Sequence, residues 1–357
     1  MRIVQIVTQM EAAGAQAVAY QLHEGFSGKG HDSELWFLYM KRPAYVGLRG
    51  VSSLMDHPPS AGDYPAIVGR LYRRLRQHRC DAVITHTQYA NVLGQTVAAA
   101  VGVKKRIAVH HSPRAKDSFL PRIADYLLGH TDIYSDIVVV SESLRQPEPW
   151  YLRRYSRRVR CIRNAVEDFK QIEITDLRTK WGIPADKPML LSVGRLSRQK
   201  NHDTLIQALS SVPDAHLVIV GDGELASESR RQATALSLAE RVVFTGEIDR
   251  EQVYGLMNCA DLFVFPSLWE GLSLAALEAL SRGMATVASD IPPKREVFGD
   301  AAVFVPATNV TALAAGIQRV LDDGFLASSL RLKAVARARS FPMEFMIEAY
   351  ERLLWSH

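Results

Sequence analysis

Short, continuous apolar runs rich in Val and Ile recur along the whole chain, each followed by a turn and a longer mixed segment. In the first half they are Ile3 to Val7, Leu35 to Leu38, Ala82 to Thr85, Arg106 to Val109, Ile137 to Val140 and Val159 to Ile162. In the second half they are Met189 to Val193, Leu217 to Val220, Val242 to Thr245, Leu262 to Phe265, Ala285 to Ala288 and Ala302 to Val305. A strand with one wet face alternates apolar and polar residues. Continuous runs instead suit strands buried on both faces of a parallel sheet. The segments between them complete strand–helix–strand units. At 357 residues the chain is too long for one ordinary core and suits two domains. The expected fold is α/β, with two Rossmann-like, doubly wound domains in tandem. The polar stretch Glu167 to Pro188, with Pro184 inside it, predicts the boundary, giving domains at 1–166 and 167–340. Pro342 to Trp355 has helical spacing, with Phe345, Ile347, Tyr350 and Leu353 placed to pack. Segment 341–357 is expected to return to the N-terminal domain.

Composition narrows the class without choosing a partner. Formal net charge is +5 and the pI about 9.1. That modest basic excess fits an anionic ligand, an acidic membrane surface or nucleic acid. Cys80, Cys161 and Cys259 are far apart, have no zinc spacing and are odd in number, so a reducing, cytoplasmic setting is expected. The apolar run at Met1 to Val7 reaches Thr8 and Gln9 too soon for a signal core. No stretch approaches the roughly 20 apolar residues of a membrane span.

Ligands of open parallel sheets bind at the carboxyl ends of the strands, and two such sheets facing each other make a cleft. The residues just after each strand therefore matter most. After Met189 to Val193 comes GRLSRQKN, in which Gly194 allows close backbone approach. Arg195 and Lys200 follow in the same loop, a fixed guanidinium and a mobile ammonium suited to a diphosphate. The bland alternative is two solvated charges. After Leu262 to Phe265 comes PSLWEGLSLAALEAL. Glu270 precedes an expected helix whose first turn is Gly271, Leu272 and Ser273, and unpaired amides there can hold a phosphate. Glu278 lies roughly 12 Å further along at ~1.5 Å per residue. One carboxylate is placed to bind sugar hydroxyls and the other a ribose, with the diphosphate between. The alternative is a carboxylate at a helix dipole and a surface charge.

These stretches resemble the retaining GT-B glycosyltransferases of the large family 4 group. That group includes sucrose synthase, sucrose-phosphate synthase, bacterial mannosyltransferases and lipopolysaccharide glycosyltransferases. The resemblance rests on GRLSRQKN at 194–201, VIVGDGE at 218–224, RVVFTGEI at 241–248, ADLFVFPSLWEGLSLAALEAL at 260–280 and ASDIPPKREVFGDAAVFV at 288–305. It implies that Arg195 and Lys200 bind the diphosphate, Glu278 the ribose and Glu270 the donor sugar. It also implies that the backbone near Glu247 and Ile248 receives the base. The first half matches more weakly. EAAGAQAVAYQLHEGFSGKGHD resembles the family's glycine-rich loop and first helix, with Ala13-Gly14 where Gly-Gly is frequent. Gly14 is expected to approach a phosphate and Gln16 to face the acceptor. The family places a histidine at the mouth of the strand that here ends in His110, His111 and Ser112. The pattern His-Ser favours His111. His86 is a weaker candidate of the same kind on the acceptor side, and Asn164 is expected to shape the interdomain loop.

The resemblance implies transfer with retention from a UDP- or GDP-sugar to a saccharide or lipid-linked acceptor, in cell-envelope polysaccharide or glycolipid synthesis. No Asp-x-Asp occurs in the sequence, which fits a site where Arg195, Lys200 and helix amides take the place of a metal, so no metal and no cofactor are expected. Arg and aromatic residues crowd Trp150 to Arg163, and a second basic run spans Arg70 to Arg79. They suit an anionic membrane surface at the inner face of a membrane, or a lipid-linked diphosphate acceptor, or simply a solvated basic face. No nucleic-acid motif is present. The rival readings are a GT-B sugar-nucleotide epimerase or hydrolase, and a non-catalytic nucleotide-sugar-binding subunit. A dehydrogenase is disfavoured, because no strand-end loop carries a full G-x-G-x-x-G.

Overall fold

The computed structural model describes residues 1–113, 118–145, 153–167 and 177–356. The chain divides into two compact units, Met1–Asn164 with Glu344–His357, and Ala165–Met343. The residues 168–176 of the predicted boundary lie outside the described ones.

The first unit is built on β1 (Arg2–Met10), β2 (Asp32–Met40), β3 (Val51–Ser53), β4 (Ala82–His86), β5 (Lys105–His110), β6 (Asp136–Val139) and β7 (Val159–Cys161). They form one parallel sheet in the order β3-β2-β1-β4-β5-β6-β7. The second unit carries β8 (Met189–Val193), β9 (His216–Val220), β10 (Val242–Gly246), β11 (Leu262–Phe265), β12 (Thr286–Ser289) and β13 (Val303–Val305). Their order is β10-β9-β8-β11-β12-β13, again parallel. In each sheet the order reverses beside the first strand, between β1 and β4 and between β8 and β11. Side chains from neighbouring loops converge at such a reversal.

Every predicted strand is present, because a run buried on both faces leaves a continuous apolar signature. β4 and β11, for example, are buried at every residue. The strand β3 was not foreseen. It is three half-buried residues added to the edge of β2, and it has no apolar run to betray it.

The final helix, Met343–Trp355, buries Met346, Ile347, Tyr350, Leu353 and Leu354. Phe345, expected in that contact, is 65% exposed, because it falls on the helix's outer face. Within the first unit this helix lies against Gly25, where even a Cβ would come within 1.9 Å of Ile347 Cδ1. Lys29 Nζ and His31 Nε2 reach Glu351 at 2.8 and 2.9 Å. Among the described residues no helix is long and apolar enough to cross a membrane.

Candidate functional site

In the second unit the mouths of β8 and β11 are tied together by side chains. Gly194 follows β8. A Cβ there would lie 2.9 Å from Lys200 Cε, so the missing side chain is what lets the lysine stem fold back over the strand end. The glycines after β9 are just as constrained. A Cβ at Gly221 would sit 2.3 Å from the Gly194 carbonyl oxygen, and one at Gly223 would sit 2.4 Å from that of Leu196. Gly221 also has φ of +128°, which a side chain disfavours. The GDG of β9 therefore lies directly against the GRL of β8.

Lys200 Nζ donates to Glu270 Oε1 at 2.7 Å, and Gln199 Nε2 donates to Glu270 Oε2 at 3.2 Å. Both partners of the ion pair are well covered, at 15% and 7% side-chain exposure. The two residues that the resemblance assigns to diphosphate and sugar thus meet each other. Arg195 stands further out, with Nε 4.0 Å from Glu224 Oε2.

The loop that carries Glu270 is pinned through its backbone. Lys294 Nζ donates to the Phe265 carbonyl, Asn201 Nδ2 to that of Pro266 at 3.1 Å, and Ser289 Oγ to that of Ser267 at 2.5 Å. Leu268 N donates to the Gln199 carbonyl at 2.8 Å. Gln199 Nε2 donates to the Trp269 carbonyl at 3.0 Å. Lys294 is fully buried against the Phe265 ring, and burial holds its amine well below the usual lysine range. An amine that is neutral can sit in such a place and still donate. Asn201 adopts the left-handed conformation and also reaches the Ala307 carbonyl at 2.7 Å. Sequence reasoning missed Asn201, Ser289 and Lys294 as contributors. The only available signal was a lysine set among the apolar and proline residues of IPPKREVF.

Gly271, Leu272 and Ser273 do not form the first helical turn, which corrects the expectation. Ser273 is the extended residue at the N-terminus of the helix Leu274–Ser281. The amides free for an anion are therefore those at Ser273 to Ala276. Glu278 is in the body of this helix rather than eight helical residues beyond Glu270. Its Oε1 accepts from Tyr254 Oη at 3.1 Å and from Arg250 Nη2 at 3.2 Å. Burial raises its carboxyl above the ordinary glutamate range, against the opposing pull of Arg250. Arg250 and Tyr254, one helical turn apart on Arg250–Cys259, were also missed. Arg282 covers the Tyr254 ring at 4.3 Å. Glu247 is exposed and Ile248 partly buried, just beyond β10.

In the first unit Gly14 begins the helix Gly14–Gly28. A Cβ at Gly14 would meet nothing within 4 Å, so packing does not demand a glycine there. Gln16 is buried, and its Nε2 donates to the Gln9 carbonyl at 3.1 Å. His86, considered for the acceptor side, is fully buried and spends both ring nitrogens inside the unit. Its Nε2 lies 2.8 Å from Gln5 Oε1 and its Nδ1 3.0 Å from His111 Nε2. His110 turns inward, its Nε2 3.6 Å from Asp125 Oδ1, an oxygen that accepts a hydrogen bond from Tyr134 Oη at 2.9 Å. His111 is the half-buried one, just past β5, and burial pushes its imidazole down to about 4. It is neutral at physiological pH. Asn164 is buried at the last residue of the unit's main segment.

The basic runs are partly committed. Arg154 and Arg158 share Asp132, at 2.8 and 2.6 Å. Arg74 lies 4.1 Å over the Trp36 ring and pairs with Glu34. Trp150 and Tyr151 lie outside the described residues.

Comparison with known proteins agrees with this architecture. The family described as "Glycosyltransferase Family 4" matches residues 12–168, and that described as "Glycosyl transferases group 1" matches residues 173–341. An uncharacterized glycosyltransferase of Methanocaldococcus jannaschii is 28% identical over 330 residues, 85% of this chain and 83% of the relative. The Escherichia coli UDP-Gal:alpha-D-GlcNAc-diphosphoundecaprenol alpha-1,3-galactosyltransferase is 28% identical over 237 residues, 62% of this chain and 60% of the relative. The crystal structure of Anabaena HepE in complex with UDP-glucose is similar in fold, with a TM-score of 0.84 at 19% identity and 99% of each chain covered. Two parallel Rossmann-like sheets, together with these family matches, make this a GT-B glycosyltransferase. The chain belongs to glycosyltransferase family 4.

Proposed function

We propose that this protein transfers a glycosyl group, with retention, from a UDP- or GDP-sugar to a hydroxyl of a saccharide or lipid-linked acceptor, without a metal ion. The observation that carries the reading is the covered Lys200–Glu270 pair, held by a pinned loop beside the free amides of the helix Leu274–Ser281. A diphosphate brings charge that an ammonium and oriented amides can absorb as the leaving group departs. Lys200 then turns from Glu270 to phosphate oxygens, and Glu270 is released to sugar hydroxyls. Arg195, exposed in the same loop, adds a second cation. Glu278, aimed by Arg250 and Tyr254, is suited to ribose hydroxyls, and the backbone at Glu247 and Ile248 to the base. Retention and the front-face route, in which the leaving phosphate takes the acceptor's proton, follow the family resemblance.

The UDP-sugar and the lipid-linked diphosphate named for the Escherichia coli relative support the donor and acceptor classes. The helix Phe119–Gly129 leaves Phe119, Leu120, Ile123 and Leu127 exposed next to Arg122, which supports the lipid-linked acceptor. Such a face suits peripheral contact with an anionic bilayer at its cytoplasmic surface, and cell-envelope polysaccharide or glycolipid synthesis as the pathway.

The deciding experiment is a thermal-shift screen against UDP-, GDP- and ADP-sugars, followed by turnover in EDTA and anomeric analysis of the product. Stabilisation by one nucleotide class and metal-free transfer with retention are expected. Release of free sugar alone would reassign the protein as a hydrolase, and loss of activity in EDTA would overturn metal independence.

A further inference from the structure

A hydrogen-bonded chain crosses three adjacent strands of the first sheet and ends at the candidate histidine. Gln5 lies on β1, His86 ends β4, and His111 follows β5. In the sheet β1 pairs with β4, and β4 with β5. Gln5 Oε1 is 2.8 Å from His86 Nε2, and His86 Nδ1 is 3.0 Å from His111 Nε2. None of these contacts touches solvent at Gln5 or His86, both of which are 0% exposed.

The direction of donation follows from the first link. An amide oxygen only accepts, so His86 Nε2 carries a hydrogen. Burial keeps His86 far below the usual histidine range and therefore neutral. A neutral imidazole has one N–H, which leaves His86 Nδ1 as an acceptor. His111 Nε2 must then be the donor, and His111 Nδ1 keeps its lone pair. Among the described residues that Nδ1 has no hydrogen-bond partner. The reverse amide orientation at Gln5 would invert every donor in the chain and present Nδ1–H instead, so the polarity of the whole relay is set at one buried glutamine.

We propose that Gln5 and His86 are positioning residues that hold His111 as its Nε2–H tautomer, so that Nδ1 accepts a hydrogen bond from a hydroxyl of the bound sugar or acceptor. The proposal rests on the reading of His111 as a substrate-facing residue. It also goes beyond that reading, because it excludes phosphate oxygens, which only accept, as the partner of this ring. Metal-ligand histidines are oriented in the same manner by partners on their far nitrogen, and loss of such a partner lowers activity about 10- to 100-fold.

The test uses the full chain labelled with nitrogen-15 histidine and no ligand. Long-range nitrogen–proton correlation spectra at neutral pH are assigned by the signal missing in His111→Gln. The expected signature is a protonated Nε2 and a bare Nδ1 at His111. A protonated Nδ1, or an averaged pair, would overturn the relay whatever the enzyme's activity. In Gln5→Leu the lock is gone, and the two tautomers of His111 are expected to mix. His86→Phe, which keeps the ring volume, serves if Gln5→Leu does not fold. With the nucleotide sugar identified by the screen above, either variant is expected to turn over about 10- to 100-fold more slowly, with unchanged affinity for the free nucleotide. Normal turnover alongside the expected wild-type tautomer would remove the relay from the reaction and leave the donor assignment standing.

Discussion

Glu270 accepts from Lys200 and Gln199 at once, so its charge is covered only while Lys200 is present. Removing one partner of a buried pair leaves the other uncompensated, at a cost of about 3–5 kcal/mol. Lys200→Met is expected to destabilise the protein by that order, and Lys200→Met with Glu270→Leu by clearly less. Urea unfolding of the two singles and the double measures this. A double variant as unstable as the sum of the singles would show that the pair is not coupled. Glu278 gives a second test, through pH. Its folded carboxyl titrates above the ordinary range, so folding favours the protonated form. That contribution is full below the ordinary glutamate value and is lost as pH rises through the raised one. Glu278→Gln has no such loss. It is expected to match wild type near pH 4 and to exceed it in stability at pH 7 to 8, while binding nucleotide less well. Equal pH profiles of the urea midpoint would contradict the burial account. Gly194, Lys200, Glu270 and Glu278 stood out in the sequence because they lie in two short stretches that each follow an apolar strand run. Tyr254, Arg250 and Lys294 were not, since nothing local marks a side chain whose role is to hold another element's backbone or carboxylate.

Among the elements, the strands were readable and the helix starts less so. GLSLAALEAL invites a helix from its glycine, yet Gly271 to Ser273 remain outside it, because the loop before them is held by Gln199, Asn201, Ser289 and Lys294. Tertiary hydrogen bonds set that boundary, and local propensity does not contain them. Gly221 marks another such place. Gly221→Ala puts a Cβ into a backbone carbonyl at a φ that disfavours it, and roughly 3 kcal/mol of stability should be lost, with weaker nucleotide binding. A calorimetric titration and melting curve indistinguishable from wild type would refute the close contact of β8 and β9. The last helix buries five large side chains, each contributing about 1.5–3 kcal/mol, against a typical domain stability of about 5–15 kcal/mol. A chain ending at residue 342 should therefore lose the cooperative melting of its first unit. A full-height transition in such a truncation would mean that the helix is dispensable.

For the molecule as a whole, each unit has its own sheet and its own core, and the second is contiguous in sequence. Residues 165–343 expressed alone should unfold cooperatively and bind free UDP or GDP, since Val166 still pairs with Pro342. A molten, nucleotide-blind fragment would show that the first unit is needed for folding. The division itself follows from chain length and strand count, which is why it was visible before any coordinate. The direction in which His86 and His111 face was not, because an amide on β1 and two rings at the ends of β4 and β5 meet only once the sheet is assembled.

The pinned loop after β11 also bears on engineering. Its carbonyls are held by residues from the β8 loop, from β12 and from the helix Pro292–Phe298. Grafting the stretch 265–270 into a relative would carry the carboxylate and leave its fasteners behind. A chimera meant to keep Glu270 in its present geometry must move Asn201, Ser289 and Lys294 with it, so the unit of transplantation is a cluster in space rather than a segment of sequence.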